Sequence, residues 1–375
     1  LMRSSAASDV YKRQIMDRGG AETMVMNYYR NIDRTKVQFD FMVHRIERGA
    51  YDDEIEALGG KIYRMPPINP WDSCKYRKII RGFYSKHTEY KILHSHMSEL
   101  GYYDFVEAHK FNVPVRICHA HNRPHGIDIK SPVRWYYKTM MMPHITHMFI
   151  CGEEAGEWLY GKKNADKFIM MNNAIDSEKY QFNSKIRTEV RKSLQVNDNQ
   201  LIIGHIGRFA PQKNHKFIID IFNELRKERP DSILLLVGND LSDCGKEVHK
   251  KVEKLGLEDN VMFLGVRSDI PNLLQAMDVF LFPSLFEGLS VASIEAQAAG
   301  LPTIISDCVP IECKKTELVK IVPLSEKVST WSKTIIECSK MERQNQIEEL
   351  KRAKFDIKEN AEWLTDFYLK LAENK

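Results

Sequence analysis

Apolar positions along the chain follow two alternating rhythms. Short, nearly unbroken apolar runs occur at VQFDFMVHR (37–45), KIYRM (61–65), YKILHSH (90–96), VPVRICHAH (113–121) and THMFICG (146–152). Between them lie stretches such as AETMVMNYYRNI (21–32), whose apolar residues return every three or four positions. The first kind predicts strands buried on both faces and the second predicts amphipathic helices, so the alternation predicts a parallel sheet covered on both sides. FIMMNNAID (168–176) closes this region, and the polar stretch after it leads to a second series. There, the runs at 201–209, 232–239, 261–265, 279–284 and 301–307 read as strands, and 215–228, 247–257 and 290–300 read as helices. From about Ser329 onward the pattern is mostly helical, with Trp363, Leu364, Phe367 and Leu371 at near-helical spacing.

The expected organisation is therefore an α/β chain in five parts. Residues 15–180 form a first domain, 181–199 a linker, 200–350 a second domain, and 351–375 a terminal helix that packs back toward the first domain. Residues 1–14 form an atypical start. A sheet-based domain calls for an apolar strand immediately before the Gly19-Gly20 turn, and LMRSSAASDVYKRQ shows neither rhythm. Only Ile15 and Met16 suggest a strand, so the opening residues read as foreign sequence and the first strand as missing or replaced.

Charge adds little, because 55 basic against 51 acidic residues leave a net charge of +4, too small an excess to indicate nucleic acid as a partner. The seven cysteines show no regular spacing for disulfides or zinc. No apolar run approaches the ~18 residues of a membrane span, and the first residues lack a signal-peptide core, so a cytoplasmic location is expected. His94, His96, His119 and His121 crowd the ends of two predicted strands, which invites a zinc reading. No carboxylate or thiolate stands near them at metal spacing except Cys118, which alternation turns away from His119, so no metal is expected. The basic stretch KYRKIIRGFYSKHTEYK (75–91) interleaves cations with Ile79, Ile80 and Phe83. It reads either as a solvated helix face or as a contact with anionic lipid, and SPVRWYYKTMMMPH (131–144) reads as either an apolar contact patch or a buried helix.

The most specific chemistry lies in the second series. GHIGRFAPQKNH, followed by VMFLGVRSDIPNLLQAMDVFLFPSLFEGLSVASIEAQAAGLPTIISD, resembles the carboxyl-terminal domain of the GT4 family of retaining glycosyltransferases, in particular those of bacterial capsular and exopolysaccharide synthesis. With MDRGGAE and HAHN, the likeness covers roughly residues 15–375. It implies a GT-B fold, two Rossmann-like domains facing across a cleft with helices at the carboxyl terminus. The implied reaction takes a sugar from a nucleotide-diphosphate donor, expected to be a UDP-sugar, to a glycan or lipid-linked saccharide acceptor. Configuration is retained and no cofactor is needed, and the enzyme would work at the inner face of the membrane.

The resemblance also assigns residues. Gly207, Arg208 and Lys213 match the stretch that holds the diphosphate, where cations stabilise the charge that develops as the sugar leaves. Glu287 and Glu295 resemble the E-x7-E pair, the first approaching the transferred sugar and the second holding ribose hydroxyls. They share one face if the helix begins near Gly288. Gly288, Leu289 and Ser290 form the close-passing loop between them, and Val266 and Arg267 would flank the base. Gly19 and Gly20 resemble the family's glycine turn. His121 would donate to the sugar, with His119 as the alternative. Many relatives carry a second glycine after LLLVG where this chain has Asn239-Asp240-Leu241-Ser242, which leaves that loop unassigned. The same residues would also serve a sugar-nucleotide epimerase or a non-catalytic sugar-nucleotide-binding protein.

Overall fold

The computed structural model describes residues 7–13, 16, 19–67, 73–121 and 131–373. Asp17 and Arg18 of the glycine turn and Asn122 of HAHN lie outside them. The chain divides into two compact units, Leu1–Ala174 together with Ile357–Lys375, and Ile175–Asp356.

The first unit is a seven-stranded sheet in the order β3-β2-β1-β4-β5-β6-β7. Its strands are β1 (Ala7–Arg13), β2 (Val37–Val43), β3 (Ile62–Arg64), β4 (Ile92–Ser95), β5 (Val115–Ala120), β6 (His147–Ile150) and β7 (Phe168–Met170). Every pairing is parallel. Alternation along β2 to β7 sends side chains to two separate cores. Phe39, Phe41, Ile92, Ile117 and Phe149 meet the Gly20–Asn31 and Ile357–Glu373 helices on one face, while Met42, Leu93, Cys118 and Ile150 meet the Ser73–Lys86, Tyr102–Lys110 and Glu153–Tyr160 helices on the other.

The first strand, expected to be missing or replaced, is present within residues 7–13, which corrects the first of these two alternatives. β1 lies inside the sheet, its backbone paired with β2 along its whole length and with β4 from Asp9 to Lys12. Its Ser, Asp, Lys and Arg content hid it from a pattern that looks for interior parallel strands as apolar runs.

The second unit repeats the plan with six parallel strands in the order β10-β9-β8-β11-β12-β13. These are β8 (Ile202–Ile206), β9 (Ile233–Val237), β10 (Val261–Phe263), β11 (Val279–Phe282), β12 (Thr303–Ser306) and β13 (Val319–Val322). Again each strand feeds two cores: Ile202, Leu235, Phe280 and Ile305 face one side, and Ile203, Leu234, Leu281 and Ile304 face the other. The segment 181–199, read as a linker, carries the Ser184–Ser193 helix. Asn183 caps that helix, and Arg187 and Arg191 bind Asp278 and the carbonyls before β11.

Chain order reverses direction between β1 and β4 in the first sheet and between β8 and β11 in the second. At such a point adjacent strands send their following loops to opposite sides, which opens a crevice at the carboxyl ends of the strands.

Candidate active site

In the second unit Gly207, Arg208, Lys213 and Glu287 lie at the reversal point, whereas Val266 and Arg267 follow β10, two strands away from β8. β8 runs out into Gly207 and Arg208, and β11 into the loop that carries Glu287. Gly207 N–H donates to the Val237 carbonyl (2.9 Å), and Gly238, at φ +150°, donates to the Gly265 carbonyl (2.9 Å). A Cβ at Gly238 would stand 2.1 Å from the Gly207 oxygen, so only glycine lets the loops after β8 and β9 pass this closely.

The loop after β8 is fastened to the loop after β11. Pro211–Lys213 form a 3-10 turn, and Asn214, left-handed at φ 56°, starts the His215–Leu225 helix. Leu285 N–H donates to the Gln212 carbonyl (2.8 Å), the Gln212 side chain to the Phe286 carbonyl (2.9 Å), and Asn214 to the Pro283 carbonyl (3.2 Å). With the backbones held in this way, Lys213 Nζ reaches Glu287 Oε1 at 2.7 Å while lying 4.4 Å above the Phe282 ring. The Glu287 side chain is only 7% exposed. The sequence reading missed Gln212 and Asn214, whose value lies in loop-to-loop hydrogen bonds that no spacing rule signals.

Arg208 is exposed and has no ion-pair partner among the described residues. On β8, His205 donates from Nδ1 to the Leu281 carbonyl (2.9 Å), which fixes its tautomer, and it stacks on Phe282. Burial, reinforced by His215, holds the His205 pKa well below the ordinary range, so the ring stays neutral. Burial also pushes His215 down to about 4, with the Lys213 charge adding to the effect.

The Glu287 and Glu295 pair departs from the expected geometry. The helix opens at Val291, not near Gly288, with Ser290 as its cap, accepting from Ser293 N–H. Glu287 lies in the loop after β11, as the sequence places it, but it shares no helix face with Glu295. Glu295 is buried and accepts from the Tyr180 hydroxyl at 2.6 Å; burial raises its pKa, and the Tyr180 bond partly offsets this. Gly288 and Leu289 are half-buried, and Ser290 N–H points at Cys313 Sγ (3.4 Å). Val266 is 57% exposed at the turn after β10, and Arg267 is bound to Asp269 at the start of the Ile270–Ala276 helix. In the unassigned loop, Ser242 caps the Asp243–Lys254 helix and donates to the Phe209 carbonyl (2.8 Å).

In the first unit Gly19 is the extended residue that starts the Gly20–Asn31 helix. The four histidines do converge. His119 is fully buried and contacts His94 and Cys151, whereas His121 is half-buried and contacts His96 and Cys151. Of the two, His121 is the one that solvent reaches. Cys118 faces the opposite core, as alternation requires, but the thiol absent from the sequence reading is present. Cys151, just past β6, comes to the cluster through strand pairing and not through proximity in sequence.

The basic helix also differs from one of its two readings. Ile80 and Phe83 are buried and Ile79 is packed against the same core, while Arg77 and Arg81 both clasp Glu107, so this apolar face is not offered to lipid. Among the described residues no helix is long and apolar enough to cross a membrane.

Residues 186–318 match the family described as "Glycosyl transferases group 1". The Bacillus subtilis (strain 168) protein named "Putative glycosyltransferase EpsF" is 34% identical over 376 residues, covering 98% of this chain and 97% of that protein. The chain belongs to this family, GT4. As a GT4 glycosyltransferase it is also similar to the Escherichia coli UDP-Gal:alpha-D-GlcNAc-diphosphoundecaprenol alpha-1,3-galactosyltransferase, at 29% identity over 59% of each chain. Its fold is shared with Anabaena HepE, crystallised in complex with UDP and glucose, at a TM-score of 0.75 and 18% identity over 98% of both chains. The two-Rossmann-domain GT-B architecture expected of the family is present in the two sheets described above.

Proposed function

We propose that this glycosyltransferase moves a sugar from a UDP-sugar to a glycan or lipid-linked saccharide acceptor, with retention of configuration, in capsular or exopolysaccharide synthesis. The observation that carries the donor half is the Lys213–Glu287 ion pair standing beside Gly207 and Arg208 at the carboxyl ends of β8 and β11. UDP in HepE and UDP-Gal in the name of the E. coli relative support the choice of nucleotide, and the diphosphoundecaprenol in that name supports a lipid-linked acceptor.

In this reading the exposed Arg208 meets the diphosphate first. Lys213 then turns part of its charge from Glu287 to a phosphate oxygen, which stabilises the leaving group as the glycosidic bond to it breaks. The same exchange frees the Glu287 carboxylate to accept from the sugar's hydroxyls, so arrival of the donor and readiness of Glu287 are linked. Glu295, steadied by Tyr180, accepts from ribose hydroxyls through its other oxygen. Val266 and Arg267 flank the base, and Gly288 to Ser290 pass close to the sugar. On the acceptor side, Gly19 and Gly20 present backbone amides and His121 donates to the sugar.

A peripheral membrane contact is part of the proposal, now through the Ser131–Met141 helix in place of the basic one. Val133, Trp135, Tyr136 and Met140 are exposed on it, Trp135 by 68%. The test is a panel of UDP-, GDP- and ADP-sugars with lipid-linked saccharide acceptors, reading nucleotide release and glycosylated product together. Transfer from a UDP-sugar alone is expected. Donor interconversion without an acceptor would instead indicate an epimerase.

A further inference from the structure

The Gly288–Ser290 segment is held by a part of the second unit that carries none of the assigned residues. After β12 the chain forms a 3-10 turn, Ile311–Cys313, in which Cys313 is completely buried. Ser290 N–H donates to Cys313 Sγ (3.4 Å), and the thiol donates to the Gly288 carbonyl (3.7 Å). One sulfur thus meets the backbone groups on both sides of Leu289, 23 and 25 positions earlier in the chain. A thiol can donate and accept at once. Burial, with a smaller push from Glu287, raises the Cys313 pKa to about 11, so the proton that the Gly288 carbonyl needs stays on sulfur.

Cys313 is itself anchored. Gln297, fully buried on the Val291–Ala298 helix, donates from Nε2 to the Cys313 carbonyl (2.8 Å) and to the Ser293 carbonyl (2.9 Å). Its Oε1 accepts from Lys315 N–H (2.9 Å), Thr316 N–H (3.1 Å) and the Thr316 hydroxyl (3.2 Å). Ser290 caps the same helix, so the contacts close a ring: Ser290 leads into the helix, the helix carries Gln297, Gln297 binds the 313–316 backbone, and Cys313 returns to Gly288 and Ser290. No member of such a buried ring can turn away without leaving a polar group unpaired. Glu287 is thereby tied twice, by its own carboxylate to Lys213 and through the next three residues to Cys313. In the proposed reaction the first tie loosens as the diphosphate draws Lys213 away. The second involves no charged group and persists.

We propose that Cys313, anchored by Gln297, is a positioning residue for the donor sugar, keeping Glu287 and the Gly288–Ser290 backbone in place once Lys213 has turned to the phosphate. This rests on the reading of that segment as the one that passes the sugar. Cys313 acts through the loop backbone and not on the donor itself, so its loss should slow the chemical step and leave the grip on UDP intact.

Three full-chain proteins test this: the wild type, Cys313→Ala, which removes both contacts, and Cys313→Ser, which keeps a donor and an acceptor. Calorimetry reads UDP affinity, and steady-state kinetics reads kcat with the fastest of UDP-glucose, UDP-galactose and UDP-N-acetylglucosamine at saturating lipid-linked acceptor. We expect UDP affinities within about twofold of one another, kcat lower by about tenfold to a hundredfold in Cys313→Ala, and recovery of most of that loss in Cys313→Ser. A residue that only supported the fold would lower UDP affinity and kcat together. Should Cys313→Ala fail to fold, Cys313→Val, which fills the space without a hydrogen-bonding group, carries the test. Equal kcat in the wild type and the folded variant, or UDP affinity falling in step with kcat, would overturn the positioning role and leave the proposed function standing. A wild type that binds no UDP, or transfers none of the three sugars, would overturn both.

Discussion

Glu287 and Glu295 are the same side chain in two different surroundings, and their substitutions should differ accordingly. Glu287 is tied to Lys213 at 2.7 Å in the loop assigned to the transferred sugar. Glu287→Gln keeps the shape but removes the charge, and should lower kcat by about 100-fold or more with little change in donor KM. Glu295→Gln should raise donor KM chiefly, since ribose hydroxyls are alike in the ground and transition states. Steady-state kinetics with saturating acceptor and varied donor separates the two, with circular dichroism as the fold check. An unchanged kcat in Glu287→Gln would remove Glu287 from the chemistry. At this scale the sequence exposed the charged residues but not their partners. Lys213 and Glu287 were legible as motif members, yet their ion pair was not, because it depends on Gln212 and Asn214 fastening two loops 69 or more positions apart in the chain. Tyr180, on a short helix 115 positions before Glu295, was hidden for the same reason.

At the level of elements, the loop after β8 depends on two neighbours. Gly238→Ala would force a Cβ to 2.1 Å from the Gly207 oxygen at a backbone angle suited to glycine. A loss of roughly 2 to 4 kcal/mol of unfolding free energy is expected in urea titrations, along with weaker nucleotide binding. His215, which stacks on Phe209 at 4.0 Å, gives the second unit a pH dependence of known sign. Its pKa is lowered from 6.5 to about 4, so its contribution to stability is complete above pH 6.5 and is lost as pH falls through 4. The full loss is on the order of 3 kcal/mol. His215→Phe keeps the stacking and cannot titrate, so its unfolding free energy should fall less than that of the wild type between pH 7 and 4.5; identical slopes would count against this account. Most strands were legible because burial on both faces makes them apolar runs. Of the three not read as strands, β7 lies in the apolar run 168–176 that closes the first region, and β1 and β13 break that rule differently. β1 is held inside its sheet by backbone pairing despite polar residues, and β13 is an edge strand that buries Val319 and Val322 while Lys320 and Ile321 face outward.

On the scale of the whole molecule, each unit has its own cores, but the first is not continuous in sequence. Ile357, Ala361, Leu364 and Tyr368 of the last helix fill the core formed by the Gly20–Asn31 helix and Phe39 and Phe41. Removing residues 357–375 should unfold the first unit and leave the second intact, seen as one protease-resistant fragment beginning near Ile175. Two resistant fragments would show that the helix is dispensable. In the proposed reaction a nucleotide diphosphate binds at the carboxyl ends of β8 and β11. Calorimetric titration of the full chain with UDP, wild type against Arg208→Ala, addresses it most directly. One UDP per chain is expected, with a loss of tenfold to about a hundredfold in affinity when the charge-assisted contact is removed. Absence of UDP binding by the folded wild type, or equal affinities in the two proteins, would contradict it.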